Sequence, residues 1–366
     1  MSLEVSATTA VPPEEWAELL DASDEAWLYH TLPWLDMTAA VYALENQFFM
    51  VRDGRAAVAA FPVQRLRYSR YARSCDAGYS GLMGSAGPLF RRGLPPKTRQ
   101  KALAALTGAI LAWAKDARVD QVQCSLPPLA AGSLTNVRGV NPLALAGWAD
   151  VSTHTRLAAL SVPESALWRG LADDARRSVR RAQSAGYTVA REDWQDRLED
   201  YYRVHQETYR RTGVPPHPRA YFEGIASEIA ARGQAVLWVG RDPAGRAVAF
   251  HNDARYRDGS LYWTGCCETG HLASGINYLL FWRALAGAKE DGCRWYEIGE
   301  AFPGAASGKE HGLTVFKAKF GGELFRYFRG ELRAFSCPPV PLGRRLLAKV
   351  GRPIKRLLIK RLLGGS

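Results

Sequence analysis

The order of helical and extended patterns between residues 172 and 335 restricts the fold of this chain more than any other feature. Apolar residues recur at helical spacing in three successive segments, each of which ends at a glycine. Alternating segments with Asp-Gly-type turns between residues 235 and 266 predict a three-stranded antiparallel meander. The pattern is completed by a helix at 275–290, a strand at 294–298, a short helix near 314–319 and a strand at 323–335. The sequence therefore predicts an α+β domain with helices on a mixed, mostly antiparallel sheet.

The first half of the chain repeats part of this order. Residues 48–66 predict a hairpin around the Asp53-Gly54 turn, and a helix at 97–116 and a strand at 119–124 follow it. The hairpin, helix and strand of the second half have the same order without close sequence identity, which indicates an internal duplication.

The length of the chain also favours two domains. A chain of 366 residues is long for one compact core, and its 47% hydrophobic content is enough for two. Prolines and glycines are frequent in residues 126–148, which we interpret as the link. We therefore predict one domain at 1–150, a second at 151–335 and a tail at 336–366.

Several classes of protein are not expected from this composition. No apolar run is long enough to predict a membrane span, and the N-terminus has no secretory pattern. The six cysteines lack zinc-type spacing, and the seven histidines form no metal-binding motif. We therefore expect a cytoplasmic protein with reduced thiols and no metal.

Positive charge is concentrated in the tail. Residues 341–366 contain eight basic residues and no acidic one, so they carry +8 of the net charge of +12. Aliphatic residues alternate with these cations, and Pro353 divides the segment into two short amphipathic stretches. Such a segment can lie on an anionic membrane surface, pack on the first domain or contact tRNA. We predict the first of these, which would make the protein peripheral on the inner face of the membrane.

A lysine-containing motif lies in residues 289–322, after the predicted meander. Residues 289–293 read Lys-Glu-Asp-Gly-Cys, and residues 295–300 read Trp-Tyr-Glu-Ile-Gly-Glu. After a Gly-rich loop, residues 315–322 read Val-Phe-Lys-Ala-Lys-Phe-Gly-Gly. A lysine held among aromatic residues can stabilise the negative charge that develops in a transfer reaction. An ordinary solvated lysine is the alternative.

These motifs resemble the Fem family of peptidyltransferases, which move an amino acid from aminoacyl-tRNA onto the peptide stem of a cell-wall precursor. Weaker similarities at 30–34, 176–186 and 207–213 extend the resemblance over most of residues 25–335. It implies two tandem GNAT-like domains, with aminoacyl-tRNA as the co-substrate and no other cofactor. The acceptor would be a peptide-bearing precursor, either soluble or lipid-linked. The charged helical arm of some members is not present between 186 and 235, and no oligomeric state is implied.

The resemblance also assigns candidate catalytic residues. Lys317 corresponds to the lysine of the family's Phe-Lys motif, to which a role at the tRNA end or in the transition state is attributed. Glu297 and Glu300 lie at a strand end, where either could orient or deprotonate the acceptor amine. Basic, aromatic and amide side chains are predicted to bind the substrates, namely Arg176, Arg177, Arg180, Arg181, Tyr209, Arg211, His217, Asn277, Tyr278, Phe316 and Lys319.

Two alternatives remain open. The first is an acyl-CoA-dependent GNAT N-acyltransferase of polysaccharide or natural-product biosynthesis. Such enzymes bind pyrophosphate in a Gly-rich loop before a helix. The corresponding residues 268–275 lack the leading cation, and Glu268 would repel phosphate, which favours the tRNA donor. The second alternative is a non-catalytic GNAT-like partner of a membrane glycan-synthesis complex.

Overall fold

The computed structural model describes residues 3–67, 76–80, 86–136 and 139–334. The chain forms two compact units. The first consists of Met1–Leu157, Glu300–Thr314 and Glu323–Phe335, and the second includes Ala158–Gly299 and Val315–Gly322. The basic segment predicted for the tail lies outside the described residues, as does the whole predicted region 336–366.

The helices and strands of the described residues follow the predicted alternation. The α-helices are α1 (Pro13–Asp21), α2 (Leu32–Tyr42), α3 (Pro96–Asp116), α4 (Ala131–Leu134), α5 (Glu164–Gly170), α6 (Asp173–Ser184), α7 (Trp194–Thr212), α8 (Arg219–Gly224), α9 (Ile276–Glu290) and α10 (Gly308–Ala318). The strands are β1 (Leu3–Thr8), β2 (Glu45–Asp53), β3 (Ala56–Arg67), β4 (Asp76–Ser80), β5 (Leu89–Phe90), β6 (Val119–Ser125), β7 (Ala149–Asp150), β8 (Thr153–Ala159), β9 (Thr188–Glu192), β10 (Ala235–Arg241), β11 (Ala247–Tyr256), β12 (Gly259–Cys267), β13 (Trp295–Ala301), β14 (Glu323–Tyr327) and β15 (Arg329–Arg333). Within the described residues, no helix is both long enough and apolar enough to cross a membrane.

The sheet of the first unit has the strand order β1-β2-β3-β4-β6-β15-β7, and β5 pairs with β3. β2 and β3 form the predicted hairpin, and Gly54 takes a φ of +59° in its turn. The apolar stripe of α3, including Leu106 and Ile110, packs on Phe49 and Phe61 of this hairpin. Burial of these side chains away from water holds α3 on the sheet.

The end of the described chain belongs to the first unit. β15 pairs antiparallel with β6, with Arg329 opposite Ser125, and also pairs with β7. This pairing satisfies the backbone groups of both neighbours, so residues that directly follow β14 join the first sheet. The predicted boundary at residue 150 therefore does not separate the two units, because the first unit also contains later stretches of the chain. The strand predicted at 323–335 is also two strands, separated at the buried Phe328.

The second sheet has the strand order β14-β8-β13-β12-β11-β10-β9. β10, β11 and β12 form the predicted antiparallel meander. β12 and β13 are parallel, and they pair only over Gly259–Leu261 and Trp295–Glu297. The remaining length of β12 therefore has no ladder pairing with β13 in the described part of the chain, which opens the sheet beyond Leu261.

Helix α9 forms the centre of the core of the second unit. Ile276, Leu280, Phe281 and Leu285 are buried on more than one side of this helix. The absence of a side chain at Gly287 allows close packing, because a Cβ there would lie 2.3 Å from the Trp238 ring. The predicted helix at 275–290 is thus the most buried helix of its unit.

Two helices differ from the sequence pattern. The segment predicted as a helix around 222–229 is α8 followed by a π-helical turn, Ile225–Ile229, and a 3₁₀ turn, Ala230–Arg232. The helix predicted near 314–319 begins earlier, at Gly308, whose φ is +80°. Apolar spacing identifies a helix by its buried face, and α10 has a polar first turn that this spacing does not detect.

Candidate functional site

A cavity of about 160 Å³ lies in the second unit, beside the part of β12 that does not pair with β13. Its polar lining consists of side chains from α7, β11, β12 and α9, namely Thr208, Arg211, His251, Tyr262, Cys266, Cys267 and Asn277. Phe250, Phe281 and Phe316 form much of the apolar wall. The volume corresponds to about five water molecules, so the cavity can take a small group of a larger substrate.

Three residues predicted to bind substrate line this cavity, namely Arg211, Asn277 and Phe316. The Arg211 guanidinium donates to the Cys267 carbonyl oxygen at 3.2 Å and to Thr269 Oγ1 at 2.8 Å, which holds it at the lining. Burial raises the pKa of the Cys267 thiol to about 11, although a hydrogen bond with Asn277 opposes this shift. Cys267 is therefore a neutral thiol at neutral pH and a poor nucleophile.

The sequence analysis missed a buried polar network that reaches the same cavity. His251, which is 3% exposed, has its Nε2 at 2.9 Å from Asp253 Oδ1 and at 2.8 Å from the Tyr296 hydroxyl. The Tyr296 hydroxyl donates to Asp253 Oδ1 at 2.6 Å, and Trp238 Nε1 donates to Asp253 Oδ2 at 3.2 Å. His-x-Asp within a predicted strand was the available signal, because alternate residues of a strand lie on one face.

Two further predicted residues belong to an aromatic and histidine cluster of the second unit. Tyr209 and His217 both pack against His205, with ring centroids 3.9 Å and 5.8 Å from its ring. Burial raises the pKa of Tyr209 to about 12. Burial, and then the nearby His217, lower the pKa of His205 to about 3. Tyr209 and His205 are therefore neutral at neutral pH, and neither Tyr209 nor His217 is part of the cavity lining described above.

The four arginines of α6 do not form one uniform surface. Arg176 donates to the carbonyl oxygens of Arg169 and Leu171 and pairs with Asp173, so it holds the end of α5. The other three are exposed. Arg180 lies over the Trp168 ring, 5.6 Å from its centroid.

The two lysines of the motif have different surroundings. Lys319 Nζ pairs with Asp174 Oδ2 at 2.6 Å and donates to the Tyr278 hydroxyl at 3.4 Å. The hydrogen bond to Asp174 is the main cause that raises the pKa of Lys319. Lys317 reaches the end of β13, where a Cβ added at Gly299 would lie 2.7 Å from Lys317 Nζ. Glycine suits position 299 because it leaves room for this amine and because its φ of +105° is one that other residues rarely adopt.

The two glutamates lie in different units. Glu297 is buried on β13 in the second unit. Glu300 belongs to the first unit, where its Oε1 accepts from Thr153 Oγ1 at 3.1 Å and from Arg329 Nη1 at 3.0 Å. The residues predicted to bind substrate or react are thus divided among the cavity, the aromatic cluster, the α6 surface and these ion pairs. No group of three or more His, Cys, Asp or Glu side chains is arranged for a metal ion within the described ranges.

The N-terminus of α9 is covered by α6. A Cβ added at Gly275, whose φ is +92°, would lie 2.4 Å from the Ser178 carbonyl oxygen. Ser274 Oγ accepts from the backbone N–H of Ile276 at 3.1 Å. The preceding Glu268 carboxylate pairs with Arg203 at 2.7 Å and with Arg246 at 3.3 Å. The start of α9 is therefore packed against a backbone carbonyl oxygen, and the carboxylate that precedes it is paired with two arginines.

Comparisons with known proteins agree with this architecture. Residues 170–311 match the model of the Acetyltransferase (GNAT) domain. The structure is similar to that of FemX, with a TM-score of 0.69, 15% identity, and coverage of 96% of this chain and 100% of that chain. It is also similar to L-PGS from Bacillus licheniformis, with a TM-score of 0.57, 16% identity, and coverage of 97% and 98% of the two chains.

A third similar structure is a tandem GNAT protein from the clavulanic acid biosynthesis pathway. Its TM-score is 0.56 at 13% identity, and the match covers 92% of this chain and 100% of that chain. A search of curated proteins gives no match. The predicted α+β fold of two GNAT-like domains is thereby confirmed. The chain has a tandem GNAT-like fold of the Fem type, and its residues 170–311 match the acetyltransferase (GNAT) domain.

Proposed function

We propose that this GNAT-fold acyltransferase forms an amide by moving an aminoacyl group from aminoacyl-tRNA to an amine. The acceptor would be a peptide-type molecule, and a peptidoglycan precursor is the one that the resemblance to Fem proteins favours. The similarity to FemX along the whole fold supports this proposal. The basic segment at 341–366 would hold the protein on the inner, anionic face of the membrane.

The observation that carries the choice of donor is the covered N-terminus of α9. A helix N-terminus binds pyrophosphate through its free backbone N–H groups and positive dipole end. Here the Ser178 carbonyl oxygen lies against Gly275, and the Glu268 carboxylate lies just before the helix turn. The Ser178 carbonyl oxygen takes the space beside Gly275, and Arg203 and Arg246 are paired with Glu268, so the helix start and these cations are already engaged. This arrangement favours a donor other than coenzyme A.

Other residues of the second unit can stabilise the developing charge and bind the donor. Lys317 would stabilise the oxyanion of the tetrahedral intermediate, and Gly299 leaves room for its amine. The exposed Arg177, Arg180 and Arg181 of α6 would contact the phosphates of tRNA. Arg176 and Lys319 would act by positioning α5 and α6, because both are already paired with aspartates.

The experiment is a transfer assay with a radiolabelled acyl group and a peptide amine acceptor. The expected result is transfer from charged tRNA that ribonuclease abolishes. Transfer that survives ribonuclease and requires acyl-CoA would instead establish the second candidate function, a CoA-dependent N-acyltransferase. The match of residues 170–311 to the acetyltransferase domain model is the observation in favour of that candidate.

A further inference from the structure

We propose that His251, oriented by Asp253, is the general base that takes the proton from the acceptor amine inside the cavity. This inference rests on the proposed function as an amide-forming transferase, but not on which donor is used. It is carried by a histidine at the cavity wall whose Nε2 contacts a fully buried carboxylate. His251 and Asp253 lie on β11, and Tyr296, which contacts both, lies on β13.

The hydrogen bonds fix which imidazole nitrogen can accept a proton. A neutral imidazole has one N–H and one lone-pair nitrogen. Nε2 faces the Asp253 carboxylate at 2.9 Å, and a carboxylate only accepts, so the proton lies on Nε2. In the described part of the chain, Nδ1 makes no hydrogen bond. Nδ1 is thus the lone-pair nitrogen of a side chain that lines the cavity.

Hydrogen bonds hold the Asp253 carboxylate in place. It is fully buried and accepts hydrogen bonds from Tyr296 and Trp238 in addition to its contact with His251. Through its contact with Nε2, the Asp253 carboxylate can stabilise the imidazolium that forms when His251 takes up a proton. β11 also has a register shift between Asn252 and Asp253, which places the aspartate at a local irregularity of the strand.

Among the described residues, the other titratable groups of the cavity lining are not suited to accept a proton. Burial raises the pKa values of Tyr262, Tyr296, Cys266 and Cys267, so these hydroxyls and thiols stay neutral. The Tyr262 and Phe281 rings lie 4.5 Å and 5.0 Å from the imidazole and restrict water. Arg211 of α7 is a cation at the lining, so it disfavours an ammonium and favours a neutral amine there.

Amide formation requires one proton to move from the attacking amine to the leaving atom. The amine nitrogen attacks the carbonyl carbon of the donor, and its proton passes to Nδ1 of His251. The new N–C bond forms, and the bond from the carbonyl carbon to the leaving oxygen or sulfur breaks. The imidazolium then returns the proton to that leaving atom. The net change moves one proton from the amine to the alcohol or thiol, and no oxidant or further reactant is required.

The first test compares His251→Gln with the wild type, using whichever donor supports transfer. We expect kcat/KM to fall about 10²- to 10⁴-fold, as for loss of a general base, with little change in KM. The acidic limb of the wild-type pH–rate profile should be absent in the variant. Asp253→Asn should also lower kcat, and Tyr296→Phe should lower it much less. His154→Gln, which changes a histidine on β8, is the control and should behave as wild type.

The second test needs no transfer activity, so it separates this inference from the proposed function. The protein is labelled with ¹⁵N at histidine, and the His251 signal is identified by its absence in His251→Gln. Ethylamine is the probe, and we expect it to shift this signal and not that of His154. Retention of activity within about threefold in His251→Gln, with an unchanged pH profile, would overturn the inference. A His251 signal that does not respond to ethylamine would do the same.

Discussion

Lys317 and Gly299 form a matched pair of residues at the end of β13. The lysine amine occupies the space that a side chain at position 299 would take. The glycine also has a backbone conformation that other residues adopt only with strain. This arrangement gives the lysine a defined position, which a charge-stabilising group needs in order to act before the substrate arrives.

Lys317→Ala should lower turnover by roughly 10²-fold or more without unfolding the protein, because one preorganised charge is lost. The measurement is transfer activity together with a thermal melt. Lys319→Ala is the matched control, since Lys319 is two residues away and already paired with Asp174. Glu300→Gln should have a smaller effect than Lys317→Ala. Near-normal activity in Lys317→Ala and a large loss in Lys319→Ala would place the functional lysine at 319.

His205 should make the stability of the protein depend on pH. Burial first, and then His217, lower its folded-state pKa from 6.5 to about 3. Below pH 6.5 the unfolded chain binds a proton that the folded chain does not, so stability falls as the pH falls towards 3. Between pH 7 and pH 5 this histidine should therefore cost about 2 kcal/mol of the free energy of unfolding.

Urea unfolding of His205→Gln at the two pH values tests this expectation. The variant should lose about 2 kcal/mol less than the wild type on going from pH 7 to pH 5. His311→Gln is the control, because His311 is exposed on α10 and should leave the difference unchanged. An equal loss in His205→Gln and wild type would mean that folded His205 takes up the proton.

At the scale of elements, α6 packs closely against the start of α9. The contact depends on Gly275, where the Ser178 carbonyl oxygen comes close to the helix turn. It also depends on small and aliphatic residues of α6, including Ala175, Val179 and Ala182, which are buried against the core of the unit. One packing contact thus stabilises the unit and, under the proposed function, would disfavour phosphate at this helix start.

Gly275→Ala should destabilise the protein by about 2–4 kcal/mol, because its Cβ would meet a backbone oxygen and its φ is unfavourable. Gly292→Ala at the other end of α9 is the matched control. Its φ of +81° is similarly unfavourable, but nothing lies within 4 Å of its Cβ. It should cost about 1 kcal/mol. Chemical denaturation measures both, and equal losses would show that backbone strain alone explains Gly275.

At the scale of the whole molecule, the tail gives a prediction that depends on the sequence alone. Truncation after Pro341 removes eight basic residues and the aliphatic residues between them. Sedimentation with anionic vesicles should be lost, since each basic residue near such a surface contributes about 1 kcal/mol at modest salt. Transfer to a soluble acceptor analogue should be unchanged. Vesicle binding by the truncated protein, or a loss of tRNA affinity instead, would contradict the membrane role.

The local patterns of the sequence determined the elements of this fold. The hairpin of β2 and β3, helices α3 and α9 and the meander of β10 to β12 all follow from periodicity and turn residues. These signals depend on neighbours within one helix turn or one strand, so a single sequence contains them. The resemblance in the lysine motif then identified the Fem-type fold that the structural comparison confirmed.

The tertiary structure decided which side chains meet. His251 and Asp253 alternate along one strand, but only the packing of β13 brings Tyr296 to them. Ion pairs hold Arg176, Lys319 and Glu300, which periodicity alone could not distinguish from free charges. The return of β15 to the first sheet likewise depends on pairing with β6, about 200 residues earlier in the chain. Contacts of this kind depend on chain topology and burial, and local spacing carries no record of either.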